Sequence, residues 1–99
     1  MIIPTFTPSH IELIRHLLNP EIAEATQDDS GQYWVYVKRN AKYIKLFWTE
    51  QEVKVLVEAE YFLTFSNRWN RDHMVVVINP EYESELKLLV MHKDSRQGK

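Results

Sequence analysis

Residues 32–48, QYWVYVKRNAKYIKLFW, constrain this chain more than any other stretch, because alternate side chains there fall into two chemical sets. Side chains on a strand point by turns to opposite faces, so parity sorts them. Tyr33, Val35, Val37, Ile44, Leu46 and Trp48 form an apolar set; Trp34, Tyr36, Lys38, Tyr43, Lys45 and Phe47 form a set of rings and lysines. A hairpin turning at Asn40-Ala41 pairs Val37 with Ile44, Val35 with Leu46 and Tyr33 with Trp48 on one face. It pairs Lys38 with Tyr43, Tyr36 with Lys45 and Trp34 with Phe47 on the other. A slip of one residue sets lysine against valine and scrambles both faces, which fixes the register. A two-residue turn needs positive φ at both positions; Asn tolerates this and Ala resists it, so a four-residue loop over 39–42 is the alternative.

Before the hairpin, Thr7-Pro8 reads as a helix start, with Thr as N-cap and Pro in the first turn. Ile11, Ile14 and Leu18, flanked by Leu13 and Leu17, make an apolar stripe at helical spacing. Asn19-Pro20 closes that helix and can open a short second one over 20–26. Residues 27–31, QDDSG, are turn material.

After the hairpin, two signals compete. Thr49-x-x-Glu52 fits a capping box, but residues 53–65 alternate apolar with mostly polar side chains, and a helical stripe through them takes in Glu60 and Thr64. The alternation favours a strand, with a bulge near Ala59-Glu60, pairing Val53, Val55 and Val57 with Trp48, Leu46 and Ile44. Glu58 and Glu60 then share the ring-and-lysine face, as does Lys54. Met74, Val75, Val76, Val77 and Ile78 read as a strand covered on both faces. Asn79-Pro80-Glu81 opens a final helix to about His92, with Tyr82, Leu86 and Leu89 on one face and Leu88, Val90 and Met91 widening it.

These elements predict an α+β fold: a four-stranded antiparallel meander sheet with an N-terminal helix, room for a short second helix, and a C-terminal helix. Residues 1–92 form one domain and 93–99 a fraying tail. A net charge of −2 opposes binding of nucleic acid through bulk charge. The absence of cysteine excludes disulfides and thiolate metal sites and fits a reducing compartment. No apolar run approaches the ~20 residues of a membrane span, and the first residues, MIIPTFTPSH, lack the basic start of a signal peptide. A cytoplasmic protein without membrane contact is expected.

Catalytic signatures are missing from the sequence. Two glycines cannot build a phosphate loop. His10 and His16, six apart, do not share a helix face for chelation. His73 follows Arg68 and Arg71, which together are the minimal kit for metal-free RNA cleavage; a loop-edge histidine beside solvated arginines is the plainer account. Glu21, Glu24, Asp28 and Asp29 cluster without the spacing of a calcium loop, so a solvated face is preferred. Neither cofactor nor metal is expected.

What remains is binding. The expected function is a small non-enzymatic protein-interaction module of the accessory, inhibitor or immunity type, able to act as a homodimer. Arg68, Trp69 and Arg71 are its candidate partner-binding residues, since Trp and Arg dominate interface hot spots. The alternative is single-stranded nucleic-acid binding through Trp34, Tyr36, Lys38, Tyr43, Lys45 and Phe47, rings for bases and lysines for phosphates. Glu58, Glu60 and the net acidity oppose it, and cover by one of the chain's own helices or a second subunit is the expected state of that face. Metal-free RNA cleavage at His73 stands third.

Overall fold

The computed structural model describes residues 6–66 and 73–97, the last six by backbone alone. Helix α1 (Pro8–Leu18) leads into strand β1 (Glu24–Gln27), followed by β2 (Tyr33–Arg39) and β3 (Lys42–Trp48). Helix α2 (Glu50–Glu58), strands β4 (Phe62–Ser66) and β5 (Met74–Ile78), one 3-10 turn (Pro80–Tyr82) and helix α3 (Glu83–Gln97) complete the chain. The strands form one five-stranded antiparallel sheet in the order β3-β2-β1-β5-β4.

Helix α1 begins as its sequence demands. The Thr7 hydroxyl accepts from the His10 backbone N–H, and His10 Nδ1 accepts from the Thr7 N–H at 3.1 Å, a capping box with histidine in the usual Glu position. Its apolar stripe buries Ile11, Leu13, Ile14 and Leu17. The helix stops at Asn19, which caps the following turn by accepting from the Glu21 N–H. The expected helix over 20–26 does not form. A single turn closes when the Asn19 carbonyl accepts from the Ala23 N–H, and Ala23 then turns left-handed at φ 63° and sends the chain into β1. A central place between two long partners decides this short strand: Ala25 is wholly buried between β2 and β5.

The β2–β3 hairpin has the register its parity requires, from Tyr33 opposite Trp48 to Arg39 opposite Lys42. The turn is the tight one, with Asn40 at φ 52° and Ala41 at φ 63°. Seven paired residues per strand outweigh the steric cost of a left-handed alanine, about 1–2 kcal/mol.

The strand expected over 53–65 is the main correction. The capping box wins: Thr49 accepts from the Glu52 N–H at 3.1 Å and Glu52 Oε1 accepts from the Thr49 N–H at 2.9 Å, starting α2. Val53 and Leu56, one helical turn apart, are its buried residues. The helix ends in a Schellman motif, the Tyr61 N–H donating to Leu56 O and the Glu60 N–H to Val57 O, with Glu60 left-handed at φ 68°. Asn79 clamps this corner, its side-chain amide donating to Glu60 O at 2.7 Å and its backbone N–H to Tyr61 O. The alternation of valines at 53, 55 and 57 is therefore incidental, and β4 starts only at Phe62. Hence β3 is an edge strand rather than a neighbour of residues 53–57, and the four-stranded meander becomes two hairpin-like pairs bridged by β1.

All three helices pack on one sheet face. Ile11, Leu13, Ile14, Val53, Leu56, Leu86 and Val90 close a common core with Ala25, Val35, Val76 and Phe62. The result is a slab, 41 × 41 × 21 Å, one helix layer and one sheet thick. Val76 and Ile78 of β5 face that core, while Val75 and Val77 are half-buried on the uncovered side, so β5 is sheathed on one face, not two. Helix α3 runs to Gln97, past the expected stop near His92; it buries Leu86 and Val90 and leaves Leu88 and Met91 exposed. No helix among the described residues is long and apolar enough to cross a membrane.

Candidate functional site

The second sheet face is bare among the described residues. Tyr43 is 69% exposed, Tyr36 50% and Phe47 48%, and Phe65 and Leu63 of β4 are open as well. The expectation that one of the chain's own helices covers these rings is overturned, because the helix layer lies entirely on the other side.

Sheet register divides this face into two chemical halves. On the hairpin half, Trp34 lies opposite Phe47, Tyr36 opposite Lys45 and Lys38 opposite Tyr43. The rings meet edge to face: Trp34 and Tyr36 have centroids 5.0 Å apart, Tyr36 and Tyr43 6.5 Å. Lys45 Nζ sits 4.5 Å from the Trp34 centroid and 5.5 Å from that of Tyr36, so its charge rests on two π faces. All six residues singled out from parity are brought together. The accompanying acids are not: Glu58 and Glu60 belong to the end of α2, and Lys54 lies on the same helix, lining a cleft with Tyr33 and Glu50. Glu24, exposed on β1 at the parity of Thr26 and Trp34, is the carboxylate that does lie on the bare face.

The other half carries no charge. From β4, Leu63 lies opposite Val77 and Phe65 opposite Val75, and neither FLTFS nor MVVVI contains an ionisable residue.

Beyond the hairpin half, β2 outlasts its neighbour. Its ladder with β1 runs from Tyr33 and Trp34, whereas its ladder with β3 continues to Arg39. The gap beside the end of β2 is an open cleft of about 690 Å³, lined by Tyr36, Lys38, Arg39 and Tyr43 and, from the end of α1 and the following turn, by His16, Asn19 and Glu21. Burial lowers the pKa of His16, and Arg39 and Arg15 lower it further against the opposing pull of Glu12. At neutral pH it faces the cleft uncharged.

Arg68, Trp69 and Arg71 lie outside the described residues. His73 Nε2 is 2.7 Å from Asp29 Oδ1, which ties the start of β5 to the loop after β1. That loop is built by Asp28, whose carboxylate accepts from Ser30 and from the Gln32 N–H, with Gly31 at φ 94°. His10 serves the α1 cap and lies edge-on to Phe6. Among the described residues no three His, Asp or Glu side chains converge as a metal site, so the acidic run from Glu21 to Asp29 does not assemble.

Fold and face together define a class: a two-layer α+β domain with helices on one side of an open antiparallel sheet and an aromatic, partly basic surface on the other. No protein family, curated protein or solved structure matches this chain.

Proposed function

We propose that this chain is a non-enzymatic protein-interaction module that works as a homodimer docked through the uncharged β4–β5 corner. The carrying observation is the edge strand β4. Edge strands are ordinarily guarded against other strands by charge, proline or a bulge. The opposite edge, β3, has Lys42 and Lys45, whereas Phe62–Ser66 has none of these devices and adds Leu63 and Phe65 to the bare face.

A second copy is the occupant this chemistry fits. Antiparallel pairing of β4 with its own copy, centred on Thr64, sets Leu63 of one chain beside Phe65 of the other with no like charges opposed, a self-complementary two-fold contact. Arg68, Trp69 and Arg71 follow β4 directly in sequence and are residue types that anchor interfaces.

Light scattering over a concentration series tests this. The wild type is expected to be a dimer, and L63K/F65K, which alters two exposed side chains and leaves the core alone, a folded monomer. A monomeric wild type at the highest attainable concentration, or a dimer indifferent to both lysines, overturns the proposal.

A further inference from the structure

We propose that the hairpin half of the bare face binds single-stranded nucleic acid, with bases on Trp34, Tyr36 and Tyr43 and phosphates on Lys38 and Lys45. Charge segregation carries the argument. The hairpin, residues 32–48, holds four cations (Lys38, Arg39, Lys42 and Lys45) and no acid, while the rest of the chain has eight cations against fourteen acids. Lys38 and Lys45 share the parity of the rings, and Arg39 and Lys42 pair beside the turn on the other parity. A chain with a net charge of −2 thus carries +4 on one hairpin, with Glu24 beside it and Glu21 in the adjoining cleft. A local patch of this kind attracts a polyanion whatever the global sign.

The rings select the polyanion. Tyr36 and Tyr43 are exposed tyrosines on neighbouring strands, close enough to receive consecutive bases, and stacking on such rings is tolerant of sequence. Duplex DNA hides its base faces, and an acidic peptide has no flat surfaces to set against this many rings. Lys45 adds a device for engagement. Its ammonium rests over Trp34 and Tyr36, and a phosphate, the stronger partner, draws it away and frees both ring faces. In the adjoining cleft the Asn19 side-chain amide N–H groups can donate to a base edge, its Oδ1 being engaged by the Glu21 N–H, while the Glu21 carboxylate repels phosphate and keeps the backbone on the lysine side.

Fluorescence anisotropy of short labelled oligo(dT) and oligo(U) tests this. Binding by the wild type is expected at low salt and should weaken as salt rises. Y36A/Y43A, which truncates two exposed rings, should raise Kd about tenfold or more. K38A/K45A should reduce the log–log salt slope by roughly 1.4, about 0.7 for each phosphate left without its lysine. F65A, on the other half, should leave affinity unchanged, and thermal unfolding should find every variant folded. Absence of binding at low salt overturns the proposal, as does affinity indifferent to Y36A/Y43A. Polyglutamate bound as tightly and with the same dependence on the tyrosines would assign the surface to an acidic protein instead. Dissociation of a dimer by Y36A/Y43A without any oligonucleotide binding would make it a self-interface. L63K/F65K separates the two proposals: a monomer that still binds oligonucleotide shows binding independent of the dimer, and a wild type that is monomeric yet binds oligonucleotide leaves this proposal standing without the other.

Discussion

The indole N–H of Trp48 donates to the backbone carbonyl of Ser9 at 2.9 Å, linking the last residue of β3 to the first turn of α1 across 39 positions of sequence. Trp48 is almost wholly buried, and His16, two turns further along α1, meets its ring edge to face at 6.0 Å. One side chain therefore fixes both ends of the helix against the hairpin. Replacing it by phenylalanine keeps an aromatic ring but removes the donor and part of the volume. W48F is expected to lose about 1–3 kcal/mol in urea unfolding, and W48A about 3–5 kcal/mol. A W48F as stable as the wild type would show that the bond contributes nothing net.

Ala41 and Glu60 hold left-handed backbone, at φ 63° and 68°, where glycine avoids the clash of Cβ with the following carbonyl. A41G and E60G are each expected to stabilise the fold by about 1 kcal/mol, read as a higher denaturation midpoint at constant m-value. The effects should add, since the positions lie in the hairpin turn and at the end of α2.

Burial of His16 depresses its pKa, with Arg39 and Arg15 acting in the same direction. The unfolded chain then takes up a proton at a higher pH than the folded one. The stability associated with neutral His16 is full above the ordinary histidine value of about 6.5 and is lost as pH falls through it towards the folded value. Unfolding free energy measured from pH 8 to pH 5 should decline in the wild type and flatten in H16Q. A parallel decline in both would place the proton elsewhere.

The parts legible in sequence were those specified locally and more than once. Parity fixed the hairpin register because seven consecutive pairs agree on it, and Thr7-Pro8 and Asn19-Pro20 bounded α1 because capping and proline geometry act within one turn. The misreading of 53–65 has a clear cause. The helix that forms there is stopped by Glu60 in a position where glycine is the usual signal, so nothing in the sequence marked its end, and three alternating valines imitated a strand. Strand β1 was missed for a different reason: four residues with one buried alanine carry too little pattern, and the strand exists because β2 and β5 flank it.

The sequence by itself determined the two faces of the hairpin and the identity of its six aromatic and lysine residues, because strand geometry sorts neighbours without help from the rest of the chain. Only the tertiary structure decided which face is bare. That depends on where three helices pack, and they gather on one side since Ala25, Val35 and Val76 must be buried there together. The same packing carries Glu58 and Glu60 off with α2, so the charge of the bare face follows from contacts distant in sequence that no local pattern records.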